Sequence, residues 1–300
     1  MLMVVMGHTI YFCMYHEELP NDHIFNIICT FHVPLFFFLS GFVITIPPSI
    51  KKFLMKARKF LVPMLFVGFI NALLINKIKL FFLNGGHNGY WYLLTLTLFY
   101  MVLIPFQFNK SENKYKSFII DIIIALSVWI LFYLSMRLSN IVIIAFNPWG
   151  AYSFWPFFII GFLCRKYKIT NFLIKSLKLT SVFTILYLFL VIVFFYQLNH
   201  LPVFLDFIIA LIAIASFVGL FSKFENSNTW VDKQLIMIGN HTLGIYIYHY
   251  FLIRFINIEF LKTQHIITEL LCITILTLFI VYISISIDTL IDKIIKYKRL

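Results

Sequence analysis

Long apolar stretches separated by short polar breaks run along almost the whole chain. A helix needs about 20 apolar residues to cross the hydrocarbon of a bilayer, and most of these stretches have that length. The fifth is shorter, and the pattern lets it extend back through Ile141–Phe146 with a break at Asn147 and Pro148. We predict membrane-spanning helices near residues 24–46, 60–76, 90–108, 118–136, 150–164, 179–198, 203–221, 236–256 and 266–290.

The first stretch, Met1–Tyr15, is apolar but too short for a full span at a rise of about 1.5 Å per residue. It lacks the basic beginning and the small-residue cleavage site of a signal peptide. We interpret it as the outer part of a first helix whose beginning is missing, through a misplaced start or a truncated gene. The predicted fold class is an all-α, polytopic transmembrane bundle of about ten helices, with a truncated first helix and residues 1–300 as one domain.

Composition supports a membrane protein and excludes other classes. Hydrophobic residues make up 62% of the 300 residues and charged residues only 12%, about half of the charged share in a soluble domain. The net charge of +12 does not indicate nucleic-acid binding, because most Lys and Arg residues lie in breaks between apolar runs. The four cysteines form no CxxC pair and lie in apolar stretches, which predicts buried free thiols.

The positive charges alternate along the chain. One set of alternate connections holds most of the 24 Lys and Arg residues, and the positive-inside rule places that set in the cytoplasm. Both termini are then cytoplasmic, in a multi-pass protein of the cell (cytoplasmic) membrane. The cytoplasmic set comprises Lys51, Lys52, Lys56, Arg58, Lys59, Lys110, Lys114, Lys116, Arg165, Lys166, Lys168, Lys175, Lys178, Lys223, Lys233, Lys293, Lys296, Lys298 and Arg299. The outer set comprises Lys77, Lys79, Arg137 and Lys262.

Ionisable groups inside a bilayer are costly, so they usually have a partner or a function. His8 and His32 flank the outer loop His16–His23, and each lies about 10 Å below the outer surface. His249 falls at a similar depth in its own predicted helix. One interpretation is a polar pocket lined by the three histidines, and the other is a set of ordinary interhelical hydrogen bonds. No metal is predicted, because no ligand spacing typical of a metal site is present.

Other polar positions have structural interpretations. Pro34 predicts a kink, since it lacks an N–H group and clashes with the carbonyl four residues back. Ser40 and Gly41 follow it as small residues that permit close helix packing. Four acidic residues near the ends of predicted spans are interpreted as interfacial, within reach of water or headgroups: Asp121, Asp206, Glu269 and Asp288.

The strongest basic cluster is Lys51–Lys59, between the second and third predicted helices. It is either a topology determinant in contact with anionic lipid or a site that binds the phosphates of a coenzyme. Trp91 belongs to an aromatic group that follows the glycine-rich turn Gly85–Gly89, and such rings favour the headgroup level. The chain contains no GxSxG or HExxH motif and no paired-carboxylate signature.

Several strings, in order along nearly the whole chain, resemble the membrane-bound acyltransferase 3 family. That family includes bacterial polysaccharide and lipid O-acetyltransferases. Each string alone is a weak indicator because apolar segments resemble one another, whereas their common order is more specific. The strings are Val4–His8, Phe31–Phe42, Lys56–Pro63, Tyr90–Leu93, Phe157–Phe162 and Ile238–His249.

The resemblance implies an O-acyltransferase, most simply one that moves an acetyl group from acetyl-CoA to a hydroxyl of an envelope polysaccharide or its lipid-linked precursor. By analogy with the family, His8 is the general base, and an imidazole with a reference pKa of about 6.5 suits that role. Three basic residues are expected to attract the phosphates of the acyl-CoA: Lys56, Arg58 and Lys59. Further expected pocket residues are His32, Ser40, Trp91 and His249, and the expected partners are acyl-CoA, a glycan acceptor and the lipid bilayer.

One departure from the family pattern leaves alternatives open. The family carries an arginine about eleven residues, or three helical turns, before the histidine that matches His8. That position falls before Met1 in this chain. The alternatives to an active acyltransferase are an exporter of polysaccharide or lipid-linked sugar and an inactive, truncated member of the family.

Overall fold

The computed structural model describes residues 1–15, 22–138, 144–171, 176–198, 201–223, 229–263 and 265–297. These residues are mostly helical and contain no β-strand, which confirms the predicted all-α class. The chain forms two compact units: unit 1 is Met1–Val33 with Phe172–Leu300, and unit 2 is Pro34–Asn171. Residues 16–21 of the predicted loop His16–His23 and residues 141–143 of the predicted extension Ile141–Phe146 lie outside the described residues.

The α-helices are numbered in chain order. They are α1 (Leu2–His8), α2 (His23–Cys29), α3 (His32–Phe42), α4 (Ile50–Leu74), α5 (Ile78–Leu83), α6 (Trp91–Val102), α7 (Lys114–Met136), α8 (Pro148–Tyr167), α9 (Leu177–Val193), α10 (Val203–Phe221), α11 (Trp230–Asn240), α12 (Thr242–Ile253) and α13 (Ile266–Tyr297).

Six segments of the described chain are helical, long and apolar enough to cross a bilayer: His23–Phe42, Ile50–Leu74, Trp91–Phe108, Lys114–Met136, Val203–Phe221 and Ile266–Ile294. Three shorter apolar helices and the 20-residue α8 occupy the other predicted positions. Large apolar side chains remain exposed on these helices, as Ile130 (57%) and Leu131 (63%) do on α7. Such a continuous apolar face is stable against lipid rather than water, so the chain is a membrane protein.

Several predicted boundaries differ from the structure. The largest difference is in the span 60–76, because α4 starts ten residues earlier, at Ile50, where the Ser49 side chain caps it. The cluster Lys51–Lys59 therefore lies on a helix and not between two helices.

The predicted span 236–256 is preceded by helical residues from Trp230 onward, and the helix is interrupted at His241 between α11 and α12. Thr229 and Asp232 form a capping box that starts α11. The polar residues of its first turns hid only the beginning of this helix from a search for apolar runs.

Unit 1 is built from α1, α2 and α9–α13. The pair α9 and α10 pack together, and so do α12 and α13, while α1 packs on α13, α12 and α2. A hydrophobic cluster fixes the segment after α1 against neighbouring elements. Its buried members are Met6, Ile10, Met14, Ile28, Leu261 and Ile273.

In unit 2, α7 and α6 pack on α8, α4 packs on α6, and the backbones of α3 and α8 approach closely at two glycines. A Cβ atom at Gly41 would meet the backbone carbonyl of Phe158, and one at Gly161 would meet the carbonyl of Phe38. The two glycines therefore let the helix backbones touch, as expected for small residues in membrane bundles. Next to this crossing, the ring of buried Phe99 lies 5.2 Å from that of Phe37 and 5.0 Å from that of Phe158.

The kink predicted from Pro34 is confirmed. Helix α2 ends at Cys29 and α3 begins at His32, with Thr30 and Phe31 in a turn. The N–H groups of Thr30 and Phe31 bond to carbonyls three residues back, at 3.2 and 3.3 Å. Thr30 is four residues before Pro34, where the proline ring prevents a regular helical bond.

Asn147 and Pro148 form the predicted break before the fifth span. Asn147 has a left-handed φ of 51° and its side chain accepts a hydrogen bond from the Gly150 N–H, at 3.2 Å. Pro148 is the first residue of α8, where a missing N–H group costs nothing.

The interfacial interpretation of the acidic residues is wrong for Asp121. Its side chain is fully buried and pairs with the Lys166 ammonium at 2.6 Å. The Tyr167 hydroxyl and the Asn109 amide also donate to it, at 2.8 and 2.7 Å. A buried carboxylate needs such partners, and these join α7 to the end of α8.

All four cysteines are free, as predicted. Burial holds only for Cys13, since Cys29 is exposed and the other two are half-buried.

Candidate functional site

His8 lies where the first helix changes its winding. It is the last residue of α1, and the π-helical turn Thr9–Met14 follows directly. The Cys13 carbonyl accepts the Ile258 N–H at 2.9 Å, and the Cys13 thiol donates to the Ile253 carbonyl at 3.1 Å. These bonds tie the π-helical turn to the end of α12 and to the segment after it. Such turns are frequent at functional sites because they redirect side chains.

A direct contact joins His8 to His249, a residue of α12. Nδ1 of His8 lies 2.8 Å from Nε2 of His249, and the two ring planes are within 4° of parallel. Nε2 of His8 lies 3.2 Å from the hydroxyl of Tyr250. His249 is fully buried, whereas His8 is partly exposed. Of the pair, His8 is therefore the more accessible.

The hydrogen bonds assign the tautomers of both rings. Nδ1 of His249 faces the Ile245 carbonyl at 2.9 Å, so this nitrogen carries the hydrogen and donates it. In neutral His249 the other nitrogen, Nε2, then accepts, and His8 donates to it from Nδ1. The lone pair of His8 consequently lies on Nε2, where the Tyr250 hydroxyl donates to it. The arrangement presents a basic nitrogen that already binds a hydroxyl group.

His32 belongs to the same neighbourhood. Its Nδ1 donates to the Ile28 carbonyl one turn back, at 2.8 Å. Ile28, one turn before His32, packs in a buried cluster with Met6 and Ile10, which flank His8 along the chain. The structure therefore brings His8 and His249 into contact and places His32 near them. The catalytic roles of these residues stay predictions.

Ser40 and Trp91 lie in unit 2 and contribute to its packing. The Ser40 hydroxyl donates to the Phe36 carbonyl at 2.8 Å and accepts from the Tyr92 hydroxyl at 2.7 Å. Trp91 is half-buried, and its ring stacks on that of Phe154 at 5.5 Å. Their predicted places in a substrate pocket remain untested.

The predicted phosphate-binding residues lie on the first turns of α4. Lys56, Arg58 and Lys59 are all exposed, and no carboxylate among the described residues pairs with them. The Lys56 ammonium lies 5.8 Å from the centre of the Tyr100 ring. Exposed, unneutralised cations of this kind attract anions at low salt.

A family model described as an acyltransferase domain matches residues 1–286 of the chain. The chain belongs to the acyltransferase 3 family. It is therefore a membrane acyltransferase. A search of curated proteins and a search of solved structures each found no match.

Two features of this acyltransferase were missed by sequence reasoning. Tyr250 contacts His8. In the sequence, the only indication of this contact was that Tyr250 follows His249. That indication was weak, because successive residues of a helix point about 100° apart. Arg165 and Lys168 line a cavity at the end of α8. In the sequence they are indistinguishable from the other basic residues of the cytoplasmic set.

Proposed function

We propose that this acyltransferase moves an acetyl group from acetyl-CoA to a hydroxyl of an envelope polysaccharide or of its lipid-linked precursor. The observation that carries the proposal is the Nε2 lone pair of His8, fixed by His249 and bound to the hydroxyl of Tyr250. An acceptor hydroxyl that replaces the tyrosine hydroxyl at Nε2 is positioned for deprotonation.

The tautomer of His8 determines which of its nitrogens takes the proton in the proposed reaction. Nε2 of His8 takes the proton of the sugar hydroxyl while the sugar oxygen attacks the thioester carbonyl. The tetrahedral intermediate collapses to the ester and coenzyme A thiolate, which recovers the proton from Nε2. Throughout, Nδ1 of His8 keeps its hydrogen and its bond to His249, which stabilises the positive charge on the imidazolium. The transfer consumes no net proton.

The donor side of the proposal lies in unit 2. Acyl-CoA reaches the chain from the cytoplasm, and Lys56, Arg58 and Lys59 attract its phosphates. Both termini are cytoplasmic, and the enzyme resides in the cell membrane with its acceptor in or outside the bilayer. The alternation of basic residues supports this orientation.

The experiment is a measurement of base-labile acetate on isolated surface polysaccharide. Cells carry either the native gene or His8→Ala at the same locus. We expect the variant to lose the acetate with an unchanged yield of polymer. Unchanged acetate would contradict the proposal, and unchanged acetate with reduced polymer export would favour a sugar exporter instead.

A further inference from the structure

A cavity of about 400 Å³ opens at the ends of α3 and α8 in unit 2. The described residues that line it are Thr45, Arg165, Lys166, Lys168 and Asn171. Its volume lies within the range of small-molecule sites, about 300–1,000 Å³. The cavity therefore has room for a ligand of nucleotide size, and its lining is polar and cationic.

Local backbone structure holds the cations at this place. Lys168 adopts a left-handed conformation with φ 57° and ends α8. The next N–H group, that of Ile169, bonds to the Cys164 carbonyl at 3.0 Å and satisfies one of the last helical carbonyls. The helix thus ends at Tyr167, and the turn at Lys168 keeps this residue beside the cavity.

One of the three cations is already neutralised. Lys166 pairs with the buried Asp121 at 2.6 Å, and the Tyr167 hydroxyl shares the same carboxylate oxygen. Lys166 lines one side of the cavity, and its ion pair with Asp121 carries no net charge. Any anion in the cavity is therefore bound by Arg165 and Lys168 rather than by Lys166.

Arg165 and Lys168 carry two positive charges that no described carboxylate neutralises. The Arg165 guanidinium lies 5.5 Å from the centre of the Phe42 ring, which limits its orientations. The dipole of α8 places a partial negative charge at its C-terminus, which repels an anion, but this charge is only about half an elementary charge. Two full cations outweigh it, and a guanidinium beside an ammonium matches the oxygens of a phosphate.

We propose that this cavity binds a phosphate group of the acyl donor, namely the 3′-phosphomonoester of coenzyme A. The assignment rests on the proposed function, which supplies acetyl-CoA as the donor. The headgroup of an anionic lipid presents the same phosphate chemistry at the membrane surface, so the test separates the two sources. The exposed residues Lys56, Arg58 and Lys59 then attract the donor, and the cavity fixes its nucleotide end.

The test compares binding of coenzyme A and dephospho-coenzyme A, which lacks only the 3′-phosphate. Calorimetry uses the purified full chain in an uncharged detergent, without acceptor or turnover. We expect the native chain to prefer coenzyme A by about tenfold. The double variant Arg165→Gln with Lys168→Gln should bind both ligands equally. The control, Lys110→Gln with Lys114→Gln, removes the same charge from exposed positions and should keep the preference.

Two results in detergent would overturn the assignment. One is a preference for coenzyme A that survives in the cavity variant. The other is an equal loss of affinity for both ligands in the cavity variant and in the control, which would indicate general charge attraction only.

The lipid source is tested in nanodiscs of phosphatidylcholine with and without phosphatidylglycerol. We expect the native preference to be the same in both. Loss of the preference in the anionic discs, restored by removing phosphatidylglycerol, would assign the cavity to a lipid headgroup and overturn the proposal.

The binding result is separable from the acetate measurement. A cavity-dependent preference for coenzyme A in a chain that transfers no acetate would support the cavity and refute the transfer. Acetate transfer with no cavity-dependent preference would refute the cavity alone.

Discussion

At the scale of single residues, the proposed mechanism depends on which nitrogen of His8 holds the lone pair. His249 accepts a hydrogen bond from Nδ1 of His8, which leaves the lone pair on Nε2. The Ile245 carbonyl accepts from Nδ1 of His249, which leaves the lone pair of His249 on its own Nε2. A backbone carbonyl thus fixes, through two rings, the nitrogen of His8 that bonds to the Tyr250 hydroxyl. In the proposed mechanism, the same arrangement stabilises the imidazolium of His8.

This role of His249 gives a prediction. His249→Ala removes the acceptor for His8, and loss of a hydrogen bond to a charged group should lower kcat by roughly 10- to 100-fold. His249→Gln is the matched variant, because its amide oxygen can accept from His8 near the position of the lost Nε2. We expect Gln to recover much of kcat and neither variant to change the KM for acetyl-CoA. Equal kcat values for Ala and Gln would contradict the tautomer assignment.

The sequence predicted the depth of the three histidines in the membrane but not which way they face. The number of residues between each histidine and its span end placed His8, His32 and His249 at one depth. Depth does not give the facing direction, which depends on the π-helical turn Thr9–Met14 and its tertiary bonds. The contact of Tyr250 depends on the same geometry, so periodicity could not reveal it.

At the scale of elements, the crossing of α3 and α8 leaves no room for a side chain at Gly41 or Gly161. Gly161→Ala would place a Cβ against the Phe38 carbonyl, and backbone cannot move aside as a flexible side chain can. We expect the free energy of unfolding to fall by about 1–3 kcal/mol. Thermal unfolding in detergent measures this change.

Gly239→Ala is the control for that substitution. It lies within α11, and a Cβ there meets nothing within 4 Å. Alanine favours a helix over glycine, so this variant should be neutral or more stable by up to about 1 kcal/mol. A Gly161→Ala protein as stable as the control would show that the two helices can separate freely.

The sequence predicted elements best where hydrophobicity alone defines them. The span near 118–136 corresponds to α7, which starts slightly earlier because the Asn113 side chain caps it. The beginning of α11 was missed because its first turns are polar. The break at Pro34 followed from covalent geometry and was therefore predictable.

At the scale of the whole molecule, the alternation of basic residues predicts membrane orientation. Lys110→Cys and Lys79→Cys lie in the two opposite sets of connections, and both native side chains are exposed. In a background without the native cysteines, an impermeant maleimide should label position 79 in intact cells and position 110 only after permeabilisation. The reverse pattern would invert the orientation and remove the cytoplasmic route proposed for the donor.

The central claim is that His8 is the general base of acyl transfer. Its most direct test is release of free coenzyme A from acetyl-CoA by the purified chain in nanodiscs, with polysaccharide from cells lacking the gene as acceptor. Loss of a general base should slow acceptor-dependent release in His8→Ala by about 100-fold or more. The control His265→Ala, which changes an exposed histidine, should keep the native rate. Native rates in both variants would contradict the claim.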